Sequence, residues 1–335
     1  MSKPNSITDD LCGDLYLGID VGGTDVKIGL VDSLGQIRDR HRTATPALGT
    51  PQRVLQYAVE YAKNKLRESG LQSGNLKAAG LAVPGVLDTT EFLLREVVNL
   101  PGWLGVPLQQ ELATASKLPS VVVNDANSAA FAEHALRDLG QKSLALVTLG
   151  TGVGCGVVFR GDPHGGDHGC AGELGHIAID FSPDALECTC GSRGHLESYA
   201  GAGGVVKRMK TAMHMAKEVD QELLSESVTP KEIAAAAAAG NRVCQEVILE
   251  TGKFVGRAIG MIGQVADPAV VLLGGAMTFG GMDTQVGREF LQSVRDSVKA
   301  TTLVQVGGNI NIEFATLGND AGMLGAAMLA KQTVT

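Results

Sequence analysis

Leu15-Tyr16-Leu17-Gly18-Ile19-Asp20-Val21-Gly22-Gly23-Thr24, continued by Val26 to Val31, is the stretch on which the fold turns. Leu15 to Asp20 reads as a buried strand, Gly22-Gly23-Thr24 as a tight turn and Val26 to Val31 as the returning strand, with a third strand after Gly35. A carboxylate at the strand end, two glycines and a hydroxyl suit a nucleotide phosphate. Without Cβ atoms, Gly22 and Gly23 let backbone N–H groups approach phosphate oxygens, while Asp20 can hold Mg²⁺ through water. Gly-rich hairpins are also common as plain turns, so this stretch alone leaves both readings open.

Further along, the pattern repeats. Leu144 to Leu149, the turn Gly150-Thr151-Gly152-Val153-Gly154 and Cys155 to Phe159 form a second strand pair around a Gly-rich bend, which predicts two similar halves. Gly150, Thr151, Gly152 and Gly154 offer a second phosphate cradle. Gly274-Gly275, after the apolar strand Ala269 to Leu273, offers a third contact. Between the halves, Pro51 to Ser69 has the spacing of an amphipathic helix, and Lys77 to Val83 is a strand ended by Pro84-Gly85. Val121 to Val123 leads into Asn124-Asp125 ahead of a helix over Asn127 to Leu139, which puts Asp125 at the carboxyl end of a strand. Side chains there face ligands in open α/β sheets. Asp125 also suits the cap of the following helix. Ser198 to Gln264 reads as mainly helical with a break near Thr229-Pro230, and Ile310 to Ala315, Gly318 and a helix to about Ala330 close the chain.

A chain of 335 residues favours two domains and therefore a cleft. The expected division is a small lobe of residues 1–123 plus 318–335 and a large lobe of residues 124–317. A net charge of −8 with no run of Lys or Arg argues against nucleic acid and membrane surfaces and points to a small-molecule partner. The polar, acidic start lacks the features of a secretory signal, no apolar run is long enough to span a bilayer, and a cytoplasmic location is expected. Six cysteines do not read as a disulfide framework, but Cys188 and Cys190 are close enough to serve as metal ligands.

Taken together, the segments IDVGGT, VPGVLD, VNDANSAA, LGTGVGCGVV, GELGH, CTCGSRGHLES and LGGAM resemble the ROK family of sugar kinases and related repressors across essentially the whole chain. The resemblance implies an α/β, actin-like (ribonuclease-H-like) two-lobed phosphotransferase fold with duplicated halves. It implies ATP with Mg²⁺ bound between the lobes, a hexose substrate, and a homodimer or homotetramer. Glucose is the favoured hexose, with N-acetylmannosamine, fructose and allose kinases as alternatives sharing these motifs; polyphosphate is an alternative donor. In the family's NDAN motif the aspartate is the catalytic base, which corresponds to Asp125. The chemistry asks for such a group, because a sugar hydroxyl attacking the γ-phosphate must be oriented and lose its proton.

By the same resemblance Asn124, Glu173, His176 and Glu197 bind sugar hydroxyls, Gly85 brings backbone to the substrate, and His176 also ligates zinc. The sequence departs from the family at His195, where the usual pattern has a third cysteine. His176, Cys188, Cys190 and His195 then form a Cys₂His₂ set, still sufficient for a closed structural Zn²⁺ site. The family's repressors carry a helix-turn-helix domain ahead of the core, and none is expected here. A catalytically silent sugar-binding protein is the other alternative. Asp320 is expected to cap the terminal helix or make a closing contact. His41, His134, His164, His168 and His214 are expected on the surface or in loops.

Overall fold

The computed structural model describes residues 11–45, 49–97, 100, 102–216 and 220–335. In chain order the first part comprises β1 (Leu15–Val21), β2 (Asp25–Asp32), β3 (Ile37–Ala44), α1 (Pro51–Glu68), β4 (Leu76–Val83), β5 (Val86–Leu87), β6 (Leu94–Glu96), α2 (Leu108–Ser116), β7 (Ser120–Asn124) and α3 (Asp125–Leu136). There follow β8 (Leu144–Leu149), β9 (Val153–Phe159), β10 (Asp162–Pro163), α4 (Glu197–Ala200), α5 (Ala202–Ala216), α6 (Pro230–Ala238) and α7 (Arg242–Ala266). The chain ends with β11 (Val270–Gly274), α8 (Gln285–Thr301), α9 (Val304–Gly307), β12 (Asn311–Phe314) and α10 (Ala321–Gln332).

The duplication is explicit in the topology. One five-stranded sheet has the order β3-β2-β1-β4-β7 and the other β10-β9-β8-β11-β12, so each is built as the third, second, first, fourth and fifth strand of its own sheet in chain order, with β5 and β6 paired separately. In the first sheet β1 to β3 are antiparallel, and β4 and β7 run parallel to β1.

By contacts the chain forms two units. The first runs to Gln141 and adds Gly156–Gly172 and Leu317–Thr335; the second comprises Lys142–Cys155 and Glu173–Thr316. The division differs from the expected one, which placed Asp125 and its helix in the large lobe. The reason is packing: the Ser128 hydroxyl of α3 donates to the Gly322 carbonyl of α10 at 2.7 Å, which fastens α3 to the first sheet's own covering helix.

Within the first unit, strand alternation sorts residues between two layers. Leu15, Leu17, Ile19 and Val21 share a buried cluster with Val54, Leu55, Ala58, Val59, Ala62 and Leu66, the apolar stripe of α1. Tyr16 and Ala78 point the other way and cluster with Met323, Leu324 and Ala327 of α10. Asp20 belongs to this second face. Thr50 caps α1 and Pro51 occupies its first turn, where its missing N–H costs nothing. In the second unit Thr229 and Glu232 form a capping box that starts α6, which accounts for the expected helical break. Among the described residues no helix is long and apolar enough to cross a membrane.

Candidate active site

β1 carries Asp20 to the rim of the first sheet, and the antiparallel register sets Lys27 of β2 directly opposite it. The Lys27 ammonium lies 2.9 Å from Asp20 Oδ2. Between them the turn is closed by Gly22 N–H donating to the Asp25 carbonyl at 2.8 Å, while Thr45 Oγ donates to the Gly22 carbonyl at 2.6 Å. Thr24 is exposed at the tip and Gly23 lies beside it. The N–H groups of this turn are thus presented by a fixed frame.

Asp125 follows the end of β7, two strands away from Asp20 in the same sheet. The helix cap at this point is Asn124, whose Oδ1 accepts from the N–H groups of Ala126 and Asn127 at 3.0 and 3.1 Å. Its Nδ2 donates to the Gly85 carbonyl at 3.1 Å. Capping, one of the two roles open to Asp125 in the sequence, is taken by its neighbour. Asp125 accepts only the Ala126 N–H, at 2.8 Å on Oδ1, from other described residues. Burial, then the negative charge of Asp20, push its carboxyl up to about 7 against the opposing pull of the Ala126 N–H and of Lys27. A half-buried carboxylate poised near neutrality can take a proton from an alcohol.

Gly85 has φ +91°, and a Cβ there would stand 2.1 Å from the Glu96 carbonyl oxygen, so the bend after β4 admits only glycine. Asp320 stands at the start of α10 without capping it; its carboxylate pairs with Arg40 at 2.8 Å. His41 stacks on Tyr61 and meets the Tyr57 hydroxyl at 2.8 Å. His134 is buried in α3, contrary to the surface role expected for it, because its helix is enclosed between elements of the first unit.

In the second unit, Gly150 N–H donates to the Gly152 carbonyl at 3.0 Å, closing the bend that carries Thr151. Gly154 faces the Thr148 hydroxyl, which a Cβ would meet at 2.8 Å. Gly275, with φ +89°, follows Gly274 at the end of β11, and a Cβ on it would strike the Leu149 backbone. Glu197 connects this bend to the cysteine loop. Its Oε2 accepts from Val153 N–H at 3.0 Å and its Oε1 from the Thr189 hydroxyl at 3.3 Å. This link spans 44 positions and had no signal in the sequence. Glu173 is exposed ahead of a short 3₁₀ turn, Leu174–His176, with its carboxylate 4.0 Å from His176 Nε2.

His176, Cys188, Cys190 and His195 come together, with one ligand atom from each within 4.8 Å of the others. Cys188 Sγ lies 3.8 Å from His176 Nδ1, and Cys190 Sγ lies 3.3 Å from His195 Nδ1. Zn–S bonds of about 2.3 Å and Zn–N bonds of about 2.0 Å imply tetrahedral ligand edges of about 3.3–3.8 Å. The donor set and spacing fit zinc. A backbone frame holds it: Cys188 N–H donates to the Ser192 carbonyl at 2.7 Å, and Gly194, with φ +77°, lets the chain pass the Asp180 carbonyl.

A family model described as the ROK family matches residues 16–333. The glucokinase of Halalkalibacterium halodurans is 31% identical over 322 residues, covering 95% of each chain. The N-acetylmannosamine kinase of Escherichia coli O1:K1 / APEC is 32% identical over 317 residues, covering 94% of this chain and 98% of that one. The crystal structure of a ROK family glucokinase from Streptomyces griseus, in complex with glucose and AMPPNP, superposes with a TM-score of 0.71 at 29% identity, covering 95% and 99% of the two chains.

Proposed function

Because the chain belongs to the ROK family and has its actin-like, two-lobed fold, we propose that it transfers the γ-phosphoryl group of ATP to the 6-hydroxyl of a hexose, with glucose the preferred acceptor. The observation that carries this reading is Asp125: a half-buried carboxylate at a strand end, relieved of capping and raised toward neutral pH.

In this reading the sugar 6-hydroxyl donates to Asp125, which accepts its proton as the oxygen attacks the γ-phosphorus and the bond to the β-phosphate oxygen breaks, leaving ADP. Backbone N–H groups at Gly22-Gly23-Thr24, Gly150-Thr151-Gly152 and Gly154, and the bend at Gly274-Gly275, hold phosphate oxygens. Asp20 is the residue that would hold Mg²⁺, which would neutralise charge on the phosphates. Asn124, Gly85, Glu173, His176 and Glu197 hold the sugar, and most of the rate gain comes from this positioning. His176, Cys188, Cys190 and His195 would hold zinc, which would stiffen the loop bearing His176 and Glu197.

N-acetylmannosamine is the second acceptor to consider, since a kinase of that name is as similar to this chain as the glucokinase is. A coupled assay of ADP formation with Mg²⁺–ATP across glucose, N-acetylmannosamine, fructose and allose separates these readings. The highest kcat/KM is expected with glucose. A clear preference for N-acetylmannosamine replaces the acceptor, and ATP turnover with none of them removes the proposal. Polyphosphate in place of ATP tests the donor.

Cys188→Ser is expected to lower bound zinc well below one ion per chain, reduce the melting temperature and raise KM for sugar several-fold, with kcat less affected. Metal analysis, thermal melts and sugar saturation curves check this. Protein purified metal-free with unchanged KM and melting temperature contradicts it.

A further inference from the structure

Asp20 near the end of β1 and Asp125 just after β7 put two carboxyl groups on one sheet, in the phosphotransfer site proposed above. Lys27 lies on the same face of the sheet. Its register partner is Asp20, and the next pair on the same face of the ladder, Gly18 and Gly29, lies against Met323 of α10: a Cβ on Gly18 would meet the Met323 carbonyl and one on Gly29 its sulfur. The α10 face of the hairpin therefore carries, in sequence toward the rim, the Gly18–Gly29 pair and then the Asp20–Lys27 pair. Gly322, in the first turn of α10, comes so close that its Cβ would touch the Asp20 carboxylate at 2.9 Å. Lys27 is partly buried, its side chain 29% exposed, with its ammonium on Asp20 Oδ2. A surface ion pair made only for stability adds little. This one stands at the end of the strand that presents Asp20.

We propose that Lys27 is a positioning residue of the phosphotransfer site, which fixes the Asp20 carboxylate across the β1–β2 hairpin and offsets its charge toward Asp125. The inference rests on Asp125 being the base of the reaction proposed above. The charged groups acting on Asp125 are Asp20, which raises its carboxyl, and Lys27, which lowers it, alongside burial and the Ala126 N–H. Removing Lys27 removes the lowering charge and leaves Asp20 unpaired, and both changes act in one direction.

The test is the pH dependence of kcat/KM for the best sugar in the wild-type protein and in Lys27→Met, Lys27→Arg, Asp20→Asn and the Asp20→Asn/Lys27→Met double variant. Lys27→Met keeps the aliphatic stem and is expected to move the acidic limb upward by about one pH unit, lowering kcat/KM roughly tenfold at pH 6 and much less at pH 9. Lys27→Arg is expected to restore the wild-type limb. Asp20→Asn is expected to move the limb downward whatever it does to the plateau, and the double variant to reverse the upward shift. Thermal melts accompany each profile. An unshifted limb in folded Lys27→Met overturns the inference, as does loss of activity at every pH that tracks the melting temperature and is not rescued by arginine. Wild-type protein that phosphorylates no sugar overturns the underlying reading instead, so the two failures are distinct.

Discussion

Asp125→Asn is expected to reduce turnover by roughly a hundred- to ten-thousand-fold while the dissociation constant for sugar changes only a few-fold. The amide keeps the shape of the side chain and can still accept the Ala126 N–H, so helix α3 and its Asn124 cap are undisturbed. It cannot take a proton from the attacking hydroxyl. The same substitution has an opposite effect on stability. The Asp125 carboxyl, raised from 3.8 to about 7, holds its proton more tightly folded than unfolded. Its contribution is complete below about pH 4 and is lost as pH rises through about 7. The whole shift corresponds to roughly 4 kcal/mol. Partial solvent contact reduces this to about 2 kcal/mol. Asp125→Asn should therefore melt higher than wild type at pH 8 and no higher at pH 4. Near-normal kcat, or a lower melting point at pH 8, contradicts the role assigned to this carboxylate.

Gly80→Val is expected to leave little folded protein. Helix α10 packs on β1, β4 and α3 through the side chains of Met323, Leu324 and Ala327 and, between them, through close backbone approaches at glycines. A Cβ on Gly80 would stand 1.9 Å from the Ala326 carbonyl oxygen, and one on Gly325 would stand 1.8 Å from that of Ser128. Both obstacles are backbone, which has no flexible end to move aside, so the helix itself must shift. A displacement of this kind costs on the order of 4 kcal/mol or more, a large share of the roughly 5–15 kcal/mol that holds a domain together. It also moves the support of the site, because a Cβ on Gly322 would already stand 2.9 Å from the Asp20 carboxylate and Ser128 bonds α10 to the helix of Asp125. Gly203→Ala is the control: it sits in α5 with nothing within 4 Å of the new methyl, and helix propensity favours alanine by about 1 kcal/mol. Denaturant melts should show a collapse in the first variant and none in the second. Equal stability of the two variants contradicts this description of α10.

The glycine-rich hairpins were legible because their cause is local. Leu15 to Val31 alternates and bends where its residues require, and the same arrangement at Leu144 to Phe159 announced the duplication that the strand orders display. The cluster that could hold a metal ion was legible for a different reason: Cys188, Cys190 and His195 are neighbours in the chain, and His176 followed from the motif resemblance. What was not legible depends on distant pairs. Lys27 reads in sequence as a polar residue in an alternating strand, and only the register places it on Asp20. Glu197 reaches Val153 across a loop whose path no periodicity records. The unit boundary was misplaced because α10, far along the chain, decides where α3 belongs. The burial of His134 is visible only in the structure, because a lone histidine says nothing about what encloses its helix.

The claim on which the account turns is that the Asp125 carboxylate accepts the proton of a sugar hydroxyl. Its most direct measurement is kcat/KM for the preferred hexose between pH 5 and 9 with saturating Mg²⁺–ATP, which reports groups of the enzyme before the sugar binds. A rise through a half-maximal point close to pH 7 is expected in the wild-type protein, and its disappearance in the residual activity of Asp125→Asn. A profile flat from pH 5 to 8, or a limb that survives unchanged in Asp125→Asn, contradicts it.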